Sequence, residues 1–280
     1  MSGIQLIVNA DDFARSPSVN RGILKAHQNG LVSTTTAMMN LKDARPAVVQ
    51  AQAAAPDLAI GVHLNITFGK PLSSPEKVAS LIDSTGSFHS FRDLIANPDK
   101  LELREVEREW RNQIEALLDA NIQLDHLDSH HHSAVFSEAL FLLLLDLAGE
   151  YDCGVRNPNP SDIDSSSLNS LYPEGITSFI QQASEPLMRA RAVPHPEQFL
   201  ASFFGDTATK DHLSMLLRRL SPGTYELMCH PGFADDELAL TSSYDHQREK
   251  ELEVLIDDEI KSLTQELNIH PATFQSLRTS

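Results

Sequence analysis

Two adjacent carboxylates, Asp11-Asp12, follow the apolar run Ile4-Gln5-Leu6-Ile7-Val8 and the pair Asn9-Ala10. Side by side at a strand end they repel one another, and burying both is costly without a cation or a donor nearby. Alone, such a pair is more often a solvated loop capping the next helix, and histidines at neighbouring strand ends reverse that balance. His63 lies in Gly61-Val62-His63-Leu64-Asn65, among apolar neighbours where a single histidine is commonly a satisfied core residue. The segment Asp125-His126-Leu127-Asp128-Ser129-His130-His131-His132 is less ordinary. In an extended chain Asp128, His130 and His132 share one face, with Ser129 and His131 on the other. Imidazoles clustered beside carboxylates are the donor set of a borderline divalent cation.

One aspartate and two histidines leave coordination positions open for water and substrate. A structural metal would be closed by four Cys or His, and Cys is missing from each of these clusters. A metal acidifies its water enough for nucleophilic attack near neutral pH and polarises a carbonyl, while a spare aspartate accepts the proton. The last motif is Met228-Cys229-His230-Pro231-Gly232. There His230 is either the donor to a departing amine or a simple turn residue, and the residues alone leave the two even. Cys229 reads as a buried strand residue, because nothing nearby lowers its pKa.

These groups need a frame. Apolar runs predict strands over Ile4–Val8, Val32–Met39, Leu58–Leu64, Leu124–His132 with its exit, Gly154–Arg156 and Tyr225–Cys229. Helical patterns fall between them. One starts at Ser16-Pro17 and stops near Gly30, and others cover Ala44–Ala55, Leu103–Leu118, Phe136–Ala148, Thr209–Leu220 and, as one long amphipathic helix, Gln247–Glu266. Two stretches rich in Gly, Pro and Ser, about 66–98 and 157–175, read as loop excursions. No repeat or linker divides the chain, so residues 1–280 read as a single α/β domain with a parallel sheet and crossover helices. In such sheets and barrels the functional groups lie at the carboxyl ends of strands. Asp11-Asp12, His63, Asp128 to His132, Arg156 and His230 each fall at the end of a different predicted strand.

The bulk properties narrow the function classes. At 280 residues, with 41% hydrophobic and 22% charged residues, a sizeable core is expected. A formal charge of −17 and the lack of a basic stripe argue against a nucleic acid or other polyanion. Cys153 and Cys229 build no disulfide framework. The start, Met-Ser-Gly-Ile-Gln, has no signal-peptide pattern, and Ala139–Ala148 is too short for a membrane span. Together these point to the cytoplasm and to no membrane partner.

The ordered motifs Val8-Asn9-Ala10-Asp11-Asp12-Phe13, Gly61-Val62-His63-Leu64-Asn65, Gly69-Lys70-Pro71-Leu72, His126 to His132 and Cys229-His230-Pro231 resemble those of the YdjC-like carbohydrate deacetylases. Within that family the sequence is most similar to the chitooligosaccharide (diacetylchitobiose) deacetylases. The match spans nearly the whole chain and includes Phe204-Gly205-Asp206 and Arg248 with Glu251-Leu252. The resemblance implies a variant (β/α) barrel of NodB-like type, with one divalent metal, Mg2+ or Zn2+, at the C-terminal ends of its strands. It implies Asp12, His63 and His130 as metal ligands, Asp11 as base and His230 as acid. Asp128, His132 and Arg156 fall near the site, as supporting or substrate-binding groups. The expected partner is a small acetylated amino sugar, and a homodimer is left open. Two positions depart from the family pattern: Ser133-Ala134 where Val-His is usual, and Ala14 where glycine is usual. The alternatives are a deacetylase of another N-acetylated sugar or glycolipid, a metal phosphoesterase on the same scaffold, disfavoured by the few basic residues around the motifs, and a non-catalytic sugar-binding protein.

Overall fold

The strand that carries the two carboxylates is the central one. In the computed structural model, which describes residues 3–164 and 174–279, β1 (Ile4–Phe13) pairs with β2 (Thr34–Ala37) on one side and β7 (Gly223–Cys229) on the other. Beyond β2 come β3 (Ala59–Leu64), β4 (Leu124–Ser129) and β5 (Gly154–Val155), and beyond β7 comes β6 (Gln198–Leu200). Every pairing is parallel, as expected of strands connected through helices. The two outer strands approach each other: Pro160, just past β5, bridges to Phe199 in β6, and the Ser161 N–H donates to the Phe199 carbonyl at 2.8 Å. The result is a curled sheet forming a partial barrel, with the seam held by a bridge rather than a full ladder.

A short strand absent from the sequence reading, β8 (Ile269–Pro271), pairs with Ile4–Leu6, beside the half of β1 that β2 does not reach. β6 was missed as well. Strands of three residues carry too little periodicity to register. The first strand is longer than its apolar run suggests, because Asn9 to Phe13 stay on the ladder. Its register with β2 shifts between Ala10 and Phe13, and Asp12 takes φ 69°. That bulge re-aims the carboxylate pair at the strand end.

The helices pack outside the sheet. The Ser16 hydroxyl accepts from Val19 N at 3.2 Å and caps helix Pro17–Asn29, as its sequence predicts. Gly22 of that helix meets the backbone of Gly232, where an added Cβ would lie 2.4 Å away. Only glycine allows the helix and the loop after His230 to approach so closely. Helix Leu103–Leu118 buries Val106, Trp110, Ile114 and Leu117 on one stripe. Its Glu109 accepts from the N–H groups of Leu72 and Ser73, each at 2.9 Å, and its Gln113 grips both backbone groups of Asn65. The excursion at 66–98 is thereby tied down. It contains helix Phe91–Ala96 and short 3-10 turns.

Several boundaries differ from expectation. The long helix over Gln247–Glu266 is two, His246–Leu255 and Asp258–Glu266, because the Asp257 side chain accepts from Glu259 N and Ile260 N and starts the second. The helix expected over Phe136–Ala148 runs Glu138–Glu150 after a Ser137 cap. Most of the predicted loop at 157–175 lies outside the described residues, and the chain from Glu174 is helical. Among the described residues no helix is long and apolar enough to cross a membrane.

Candidate metal centre and active site

The carboxyl ends of β1, β3, β4, β6 and β7 open onto one cleft of about 800 Å³, lined by Asp11, Asp12, His63, His130, His132 and His230 among others. Arg156, directly after β5, lies buried behind Asp11. The sequence-predicted residues are therefore gathered in one place.

Asp12 stands at the centre of the histidine side. Its Oδ1 is buried and accepts no hydrogen bond, yet His130 Nδ1 lies 3.1 Å away and His63 Nε2 3.5 Å away. Ligand atoms of Asp12, His63 and His130 all lie within 4.8 Å of one another. An orphaned carboxylate oxygen facing two imidazole nitrogens fits a divalent cation, and mixed O and N donors are the set that a borderline ion accepts. The other nitrogen of His63 is engaged by Asp128 Oδ1 at 2.7 Å, which also accepts from Thr36 Oγ1 at 2.7 Å. This fixes the ring with Nε2 toward Asp12, the usual way a carboxylate orients a ligating histidine. Burial alone would lower the His63 imidazole, but Asp128, Asp11 and Asp12 together lift it to about 9. For Asp12, burial favours the neutral acid, and Arg248, His130 and His63 outweigh it, holding the carboxyl well below its ordinary range.

The expected alternation of Asp128, His130 and His132 on one face does not occur. β4 ends at Ser129, and His131 and His132 both adopt left-handed backbone, φ 53° and 51°, inside a tight turn. Period-two reasoning holds only while the chain stays extended. The turn leaves His130 against Asp12, sends His131 Nδ1 to Thr67 Oγ1 at 3.0 Å and sets His132 edge-on to Phe199. Burial lowers His131 to about 2 and His132 to about 3, so both are neutral.

Asp11 faces the other side. Arg156 forks onto it, Nη2 to Oδ1 at 2.6 Å and Nη1 to Oδ2 at 2.8 Å. The same guanidinium reaches Glu226 through Nε at 2.8 Å and Asp128 at 3.1 Å. Arg248 donates to Asp12 Oδ2 at 2.5 Å, leaving Oδ1 to the histidines. The sequence thus misled on one point. Few basic residues flank the motifs, yet Arg156 and Arg248 converge here from distant positions, with Arg15 at the rim. Both buried arginines are already matched to carboxylates. Arg15 donates to the Thr241 carbonyl at 2.7 Å and lies 3.7 Å over the Phe68 ring.

His230 projects from the end of β7, with Nε2 3.9 Å from Asp11 Oδ2. Burial lowers it to about 4, against the opposing pull of Asp11 and Asp12. Glu226 and Tyr244 were not found from the sequence. A lone strand glutamate and a loop tyrosine carry no spacing signal, although burial of Glu226 inside the sheet is informative once seen. Cys229 is buried and its thiol is pushed up by burial, consistent with an inert strand residue.

A family model described as YdjC-like protein matches residues 5–266. The chain belongs to the YdjC-like family. Proteins named carbohydrate deacetylase from Thermoanaerobacter pseudethanolicus and Enterococcus faecalis are 32% and 34% identical to it, covering 98% and 99% of this YdjC-like chain and 99% of each relative. A solved structure from Enterococcus faecalis, named for cellobiose-phosphate cleavage, has a TM-score of 0.85 at 32% identity and covers 99% of both chains. The Xyl-CE4 domain of a xylanase from a Trinervitermes trinervoides hindgut metagenome shares the fold alone, with a TM-score of 0.53 at 8% identity over 100% of this chain and 91% of that one.

Proposed function

We propose that this YdjC-like chain is a metal-dependent hydrolase that removes the N-acetyl group from an acetylated amino sugar, such as the short chitooligosaccharide diacetylchitobiose. The general activity, carbohydrate deacetylation, follows from family membership and the full-length match to the named deacetylases. The observation that carries the metal assignment is the buried, unpartnered Asp12 Oδ1 between His63 and His130.

Asp12, His63 and His130 hold the ion, Mg2+ or Zn2+. When bound, the ion supplies Lewis acidity that polarises the acetyl carbonyl and acidifies the attacking water. Asp11 takes the proton from that water. Its Oδ2 spends one lone pair on Arg156 and keeps another for the cleft, while the two-point Arg156 contact fixes its plane. His230 is unprotonated at neutral pH, so the proton it gives the leaving amine comes from Asp11, 3.9 Å away. The C–N bond breaks, the amine nitrogen gains that proton, and acetate and a free amino sugar leave. Asp128 and Arg248 act by orienting His63 and Asp12, while His132 lines the cleft as a neutral wall.

The test is a release screen on mono- and di-N-acetylated sugars and on phosphate esters, with magnesium, zinc and manganese compared and a chelated control. Acetate from the sugars, lost on chelation, is expected. Phosphate without acetate would make the chain a phosphoesterase, and sugar affinity without turnover in any metal would make it a binding protein.

A further inference from the structure

On the β6–β7 side of the cleft a large apolar side chain stands open to solvent. Phe204 is 39% exposed, against near-complete burial of most phenylalanines in the molecule. Its ring lies flat on Tyr244, with centroids 4.3 Å apart and planes within 2°. The ring is also 5.3 Å from the His230 imidazole. We propose that Phe204, backed by Tyr244, is the platform on which the pyranose ring carrying the acetamide lies, making it a determinant of sugar specificity; this rests on the deacetylase reading above.

The platform is built rather than incidental. Gly205, at φ +63°, turns the chain so that its N–H donates to Tyr244 Oη at 2.7 Å. The Tyr244 hydroxyl in turn donates to Glu251, which is fully buried and also accepts the backbone N–H of His230. One carboxylate therefore anchors both the aromatic pair and the proton donor. The rim of the same wall is polar: Asp206 is exposed on the turn after Phe204, and Gln247 Oε1 is buried without a hydrogen-bond partner. A pyranose presents an apolar face of C–H groups and a periphery of hydroxyls. A flat exposed ring followed by an exposed carboxylate, in a cleft that also holds an unpartnered amide oxygen, matches that pattern. The 5.3 Å spacing to His230 selects the ring that bears the reacting nitrogen, since that nitrogen must come within hydrogen-bond reach of the imidazole.

The experiment is saturation kinetics on N,N′-diacetylchitobiose with the metal-loaded native chain, Phe204→Ala and Phe204→Tyr. Phe204→Ala should raise KM about tenfold or more while kcat stays within about threefold. Phe204→Tyr, which restores a flat ring, should return KM to near native. A native KM in Phe204→Ala, or a loss confined to kcat, would overturn the platform and leave Phe204 as a prop for His230. Native enzyme that releases no acetate would instead overturn the deacetylase reading. In that case, calorimetric titration with the same disaccharide decides the platform: binding lost in Phe204→Ala supports it, and unchanged or absent binding removes it.

Discussion

Asp11 and Asp12 are neighbours in the chain but belong to different halves of the cleft. Asp12 faces the β3–β4 side, where neutral or singly charged imidazoles are held by single short contacts such as Asp128 to His63. Asp11 faces the β5–β7 side, where one guanidinium lies among three buried carboxyl groups, Asp11, Asp128 and Glu226. Losing a contact between Asp128 and His63 should cost little beside losing Arg156, because a buried charge stripped of its partner is far more costly than a missing hydrogen bond. Burial already pushes Glu226 up despite Arg156, a sign of how little positive charge is available there.

The strongest way to break that contrast is Arg156→Met. It leaves Asp11 and Asp128 buried without their cation and should destabilise the fold by about 3–5 kcal/mol. Denaturant unfolding measures it, and a change below about 1 kcal/mol would mean that both halves tolerate damage alike. Next in size is Asp11→Asn, which keeps the shape but removes the base. Acetate release should fall about 10³-fold while metal content is unchanged. Retained turnover would transfer the role to another group, and lost metal would place Asp11 among the ligands.

On the histidine side the effect should be smaller and of another kind. Asp128→Asn keeps the hydrogen bond from Thr36 within reach but weakens the hold on His63. Metal affinity, read by competition with a chelator, should drop about 10–100-fold. If that variant also unfolds as readily as Arg156→Met, the division between the two sides fails, since Asp128 touches both His63 and Arg156.

Which half could be read from sequence follows from the same contrast. The histidine side is local: His63 and His130 end consecutive strands of the sheet, and their motifs sit in short contiguous segments that alternation and strand ends reveal. The parallel α/β class and the strand-end positions follow from the alternation of elements, whereas the barrel is what the family resemblance implies. On the other side Arg156 is legible as a strand-end residue, but its partnership with Asp11 and Glu226 is not, because each of the three stands alone in its own segment and no window of sequence contains two of them. The face expected to unite Asp128, His130 and His132 failed because two consecutive non-glycine residues turn left-handed there, a strain that a tertiary site stabilises and that local propensity argues against.

The smallest predicted effect concerns the same kind of strain at the start of the cleft. Ala14 holds φ 71°, two residues after Asp12 at φ 69°. Its N–H donates to Asn20 Oδ1 at 2.7 Å and the Arg15 N–H to the Asp12 carbonyl at 3.0 Å, so the surrounding bonds fix the turn whichever residue occupies it. A left-handed alanine costs about 1–2 kcal/mol, and a glycine gives back part of that through the freedom of its unfolded chain. Ala14→Gly should therefore raise stability by about 0.5–1 kcal/mol, seen as a higher denaturant midpoint with an unchanged slope. Metal affinity should stay within about twofold, because the bonds that orient Asp12 come from Arg248 rather than from this turn. A destabilised variant would show that the Ala14 methyl, only 9% exposed, packs more favourably than its backbone is strained. A shifted metal affinity would show that the bulge at Asp11-Asp12, and not the two arginines, sets the direction of the carboxylates.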